Sequence, residues 1–148
     1  MGIGVLMTEV GQGYEFFEHT ADIGIRATGA TQRELFARMA QGLMALIAED
    51  SSVQGRAARS IQLSADDSES LLLRWLQELL FWFSTENFLA ADYLLDEITP
   101  TSLRGQIRGE TYDPARHGPG REVKAITRYL LEVTSHHGRW RGQVIVDV

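Results

Sequence analysis

The chain has 148 residues, 44% hydrophobic and 23% charged, the balance of one globular domain with a core of useful size. Its 14 Lys+Arg against 20 Asp+Glu, a net charge of -6, exclude capture of nucleic acid by a broad positive field, though not a local basic patch. Without cysteine there is no disulfide framework, no thiolate nucleophile and no Cys-type zinc site.

Residues 1–7 lack a basic leader and a long apolar core, and no apolar run elsewhere is long enough to span a bilayer. We therefore expect a cytoplasmic protein with no membrane partner. Met7 is an alternative start, so residues 1–12 receive no structural role and read as a flexible extension before a single domain over 13–148.

In chain order, residues 14–18 read as a first strand. A second follows, where Ile23, Ile25 and Ala27 alternate with Gly24, Arg26 and Thr28. Thr31 and Glu34 have capping-box spacing before a helix carrying Phe36, Met39, Ala40, Leu43, Leu46 and Ile47. Polar residues 49–58 connect to a short strand over 60–63. Asp66 and Glu69 repeat the capping spacing, and a second helix of about five turns ends near Glu86 or Asn87. Its apolar residues surround most of the circumference, so it is either central to the core or meets a partner.

Residues 93–98 and 103–111 predict a hairpin turning at Thr99-Pro100-Thr101-Ser102, with Arg104, Gln106, Arg108 and Glu110 as a polar stripe facing solvent or a partner. Breaker-rich residues 112–121 predict a loop. A long strand over 123–133 then turns at residues 135–139 into the last strand. Strands before, between and after two long helices define α+β: a two-layer sandwich of mixed or antiparallel sheet with both main helices on one face.

Asp22 and Asp147 each adjoin an apolar strand run at opposite ends of the chain. A buried aspartate needs hydrogen-bond donors, a cation or a raised pKa. Two readings of the pair stand: strand-end acceptors of backbone N–H, or ligands of one shared cation. Carboxylate oxygens suit calcium, magnesium or manganese better than zinc or copper. His19, beside Thr20, is a hydrogen-bonded structural group or a ligand, and we place it around the site or facing a partner. Lys124 by itself reads as a solvated edge lysine. Arg116, His117 and Arg121, with Gly118 and Gly120, make a basic turn or a weak phosphate contact, at a spacing unlike a P-loop. Adjacent His136 and His137 point to opposite faces of an extended segment and receive no role.

Tyr14-Glu15-Phe16-Phe17-Glu18-His19-Thr20-Ala21-Asp22 resembles the opening of the archease family. So do the downstream Arg121-Glu122-Val123-Lys124-Ala125-Ile126-Thr127 and the closing Val144-Ile145-Val146-Asp147-Val148, with its penultimate aspartate. Each motif is weak alone; the three in order span residues 14–148. The resemblance implies a divalent cation held by Asp22, Asp147 and Val148, and a polar contact from Lys124 to substrate or partner. It implies a non-catalytic activator of an RtcB-type RNA ligase in tRNA splicing and RNA repair. Such a helper promotes GMP transfer from GTP to the ligase's active-site histidine, enables multiple turnover, and meets RNA only through the ligase. Two rivals from other classes are a metal-dependent hydrolase, active alone, and a general chaperone or scaffold using the apolar second helix without need of the aspartates.

Overall fold

The computed structural model describes residues 4–7, 13–19, 22–48 and 52–148, with 4–7, 18 and 19 through their backbone. The expected α+β class holds, and the described strands divide between two antiparallel sheets. The larger comprises β1 (Gly4–Met7), β2 (Tyr14–His19), β3 (Asp22–Gly29), β8 (Arg139–Asp147) and β7 (Ala125–His136), in the order β1-β2-β3-β8-β7. The smaller is ordered β4-β6-β5, from Ala57–Ser64, Ser102–Thr111 and Phe88–Thr99. Periodicity reports each strand's faces but not its sheet, so this division was not legible in the sequence. Gly4–Met7, given no role above, pairs with β2 as an edge strand.

Helix α1 (Gln32–Ile47) starts where Thr31 accepts a hydrogen bond from the Glu34 N–H at 3.1 Å. The Glu34 carboxylate accepts in return from Ala30, one residue before the cap, at 2.7 Å. Helix α2 (Ser68–Glu86) is capped by Asp67, not Asp66: its carboxylate accepts from the Ser70 N–H at 2.7 Å. Asn87 ends α2 in the left-handed conformation, as helix C-termini favour. Each helix touches both sheets: α1 packs on β2, β3 and β8 and reaches β5, while α2 packs on β7, β4 and β5. That double contact explains the wide apolar circumference of α2, whose Leu71, Leu72, Trp75 and Leu76 are fully buried. Of the two readings of this helix the core one holds, with Phe81 left exposed. The buried Trp75 indole donates to the Phe36 carbonyl at 2.9 Å and ties the helices together.

The other face of the larger sheet carries its own aromatic anchor. Phe17 lies opposite Gly24 and is fully buried; a Cβ at Gly24 would collide with the ring. The Arg26 guanidinium sits 4.3 Å from the ring centroid, pairs with Glu15 at 3.3 Å and donates to Gln143 at 3.1 and 3.2 Å. Gly24→Ala is therefore expected to expel Phe17 and lower unfolding free energy by about 1–3 kcal/mol, measured by denaturant titration. An unchanged midpoint would show that the ring relocates without cost.

Candidate functional site

Strand pairing assembles the end of the larger sheet from distant sequence. His19 lies opposite Asp22, Ile23 opposite Val146, and Ala125 opposite Asp147. The next position along the β3–β8 ladder sets Asp22 across from Asp147. One row, His19-Asp22-Asp147-Ala125, thus crosses four strands. Residues directly opposite in an antiparallel pair have Cα atoms about 4.5–5.5 Å apart. Both aspartates are partly buried, and among the described residues neither side chain has a hydrogen bond or ion pair. Like charges directly opposite repel, and a cation between them relieves that repulsion.

Lys124 joins this end through its backbone, whose N–H donates to the Asp147 carbonyl at 2.8 Å. Its side chain is exposed and, among the described residues, has no hydrogen bond or ion pair. Val148 is partly buried against the core. The His19 side chain and Thr20 lie outside the described residues, as do residues 49–51 of the connection. The described residues contain no cluster of three or more His, Cys, Asp or Glu fit to hold a metal. The two opposed carboxylates do fit a hard cation, but with at most four oxygens they do not complete the six or more that such an ion takes.

The candidate phosphate contact is built differently. Arg116 and His117 fall on a one-turn helix, α3 (Pro114–His117), inside the expected loop. Both are committed to Glu110, which is buried and leaves the exposed stripe to which its alternation assigned it. The Glu110 carboxylate takes an ion pair from Arg116, approaches His117 Nε2 at 3.0 Å and accepts from the Gln54 N–H at 2.7 Å. Because His117 Nδ1 accepts from the Asp113 N–H at 2.8 Å, the ring proton sits on Nε2 and donates to Glu110. Glu110 takes the Nη2 end of Arg116 and the Nε2 of buried His117, which leaves the partly exposed remainder of the Arg116 guanidinium facing solvent. Arg121 stands apart and exposed, its N–H bonded to the Leu46 carbonyl at 2.7 Å. Gly120 passes so close to the Ile47 carbonyl that a Cβ would collide with it. The segment is a strap across the end of α1, and its unpaired basic groups were the sequence signal that a buried acid awaited them.

Burial opposes charge on Glu110, but the Gln54 N–H, His117 and Arg116 outweigh it and hold its pKa down to about 2, from an ordinary 4.5. A depressed carboxylate contributes stability that is complete above the ordinary value and is lost as pH falls through the folded one. Acid titration of tryptophan fluorescence should show this loss between pH 4.5 and about 2. Glu110→Gln should remove it, and an identical acid profile in that variant would exclude the linkage.

His136 and His137 also depart from expectation. His137 and Gly138 both take positive φ in a two-residue turn, which brings the imidazole centroids to 4.0 Å instead of sending them to opposite faces.

Two antiparallel sheets holding two helices, with an acidic row at one end of the larger sheet, define the class of domain. The chain belongs to the archease family: the Archease protein family (MTH1598/TM1083) matches residues 14–148. Protein archease of Methanosarcina barkeri is 36% identical over 146 residues, covering 96% of this chain and 100% of that protein. Its counterpart in Pyrococcus furiosus is 35% identical over 139 residues, covering 91% and 98%. The solution structure of Methanobacterium thermoautotrophicum protein 1598 superposes with a TM-score of 0.77 at 32% identity, over 93% of this chain and 99% of that one. A crystal structure of an archease and possible chaperone (TM1083) from Thermotoga maritima gives a TM-score of 0.60 at 16% identity, over 88% and 94%, a likeness of fold alone. No helix of the described residues is long and apolar enough to cross a membrane.

Proposed function

We propose that this chain is a non-catalytic activator of an RtcB-type RNA ligase in cytoplasmic tRNA splicing and RNA repair. It promotes ligase guanylylation with GTP and so allows multiple turnover. The observation that carries this reading is the unrelieved carboxylate pair Asp22 and Asp147, with exposed Lys124 beside it. Two carboxylates leave coordination positions open on such a cation, which suits an ion shared with a nucleotide held by another protein. When bound, calcium, magnesium or manganese supplies positive charge to phosphate oxygens. Asp22 and Asp147 would hold the ion, and Lys124 would offer three donors and a charge to the same phosphates. Val148 adjoins the pair, and His19 lies in the same row. Nothing in this arrangement needs a nucleophile of its own.

RNA joining tests the reading. A substoichiometric amount of cognate ligase, given RNA ends, GTP and manganese, should complete many turnovers when this protein is added and about one without it. Equal turnover in both would refute the activator role, and RNA or nucleotide hydrolysis by the protein alone would favour a hydrolase.

A further inference from the structure

The alternation through residues 123–133 predicts an unbroken strand, but β7 is interrupted. Thr127 lies opposite Ile145 and Glu132 opposite Gln143, so residues 128–131 stand against the single residue Val144 of β8. The excess chain forms a bulge, with Leu130 in the left-handed region at φ 56°, where leucine is rarely found. The bulge is pinned. Gln143 Nε2 donates to the Leu130 carbonyl at 3.0 Å, and Arg128 donates to the Ser70 hydroxyl at 3.3 Å. Just beyond, the Val133 N–H donates to Glu69 at 3.4 Å. The same Gln143 holds Arg26 over Phe17, so the bulge is continuous with the aromatic anchor of this sheet face.

This braced protrusion presents Tyr129 and Leu130, 57% and 38% exposed. A bulge that only blunted an edge strand would need no exposed apolar tip. Backbone held against preference, with large apolar side chains turned outward, is a feature of recognition sites. Its position fits that use, because the bulge begins three residues beyond Ala125, the neighbour of Asp147, about 10 Å along the strand. Exposed Arg128 on the bulge and exposed Lys124 nearly balance Glu132 and the aspartate row, so the neighbourhood lacks the positive field that captures an RNA backbone. A tyrosine and a leucine fixed in place suit an apolar pocket on a protein, since pre-ordered aromatic anchors lose little entropy on binding.

Resting on the activator reading above, we infer that the 128–131 bulge is a docking knob: Tyr129 and Leu130 seat on the RNA ligase beside its nucleotide site and bring Asp22, Asp147 and Lys124 into register with it. The test is a titration of this protein into cognate ligase, following stimulated guanylylation. The double variant Tyr129→Ala/Leu130→Asn removes both apolar groups, and asparagine tolerates the left-handed backbone. It should raise the half-maximal concentration about tenfold or more, with unchanged plateau and metal affinity. A wild-type half-maximal concentration would overturn the inference while leaving the activator reading standing. So would a lowered plateau alone, which would move these residues into the chemistry. Loss of RNA oligonucleotide binding with an unaltered ligase titration would assign the knob to RNA instead. No stimulation by the wild-type protein would overturn the activator reading and this inference with it.

Discussion

Replacing either Asp22 or Asp147 with alanine will abolish divalent-cation binding while leaving the protein folded. The two carboxylates face one another across the β3–β8 ladder, so each variant keeps half of a two-point grip. Removing one also relieves like-charge repulsion, so without metal the variants should melt at or slightly above the wild-type temperature. A ligand that binds only the folded state adds about 2.7 kcal/mol of stability at 100 times its Kd. Wild-type protein should therefore gain thermal stability on addition of calcium or manganese, and the variants should gain none. Calorimetric titration checks the same point directly, and a single variant that binds as wild type does would remove its residue from the site.

Lys124→Ala should leave stability within about 1 kcal/mol of wild type yet lower ligase stimulation roughly a hundredfold or more. The contrast follows from its surroundings. In the free protein the side chain is exposed and has no partner among the described residues, so truncation costs little packing. In the assembled, water-excluded site a donor aimed at developing phosphate charge has no substitute. Lys124→Arg keeps the charge but changes reach and donor layout, and should recover only part of the effect. Guanylylation under multiple-turnover conditions, with melts to confirm folding, separates these outcomes. Full stimulation by folded Lys124→Ala would exclude the role given to this lysine.

What could be read from the sequence is what local periodicity encodes. The alternation of Ile23, Ile25 and Ala27, the Thr31 cap and the 99–102 hairpin turn appear in the structure as expected. Asp22 and Asp147 stood out because carboxylates beside apolar strands are conspicuous, and the register sets them opposite each other. What escaped depends on contacts between distant segments. Glu110 fitted the outward phase of β6 by alternation, yet Gln54, Arg116 and His117 close over it from the connection and the strap. The β7 bulge escaped because Tyr129, Leu130 and Leu131 are consecutive apolar residues that fit either phase of an alternation, and only the register against β8 exposes the extra chain. Extended backbone would send the His136 and His137 rings to opposite faces, whereas positive φ at His137 turns them toward each other.

The most direct measurement of the central claim is covalent transfer of labelled GMP to a cognate RtcB-type ligase, followed as this protein is titrated in with GTP and manganese. Guanylylated ligase should rise with added wild-type protein and stay at its basal level with the Asp22→Ala or Asp147→Ala variant. Guanylylation that does not respond to the wild-type protein, or that responds equally to both variants, would contradict that claim.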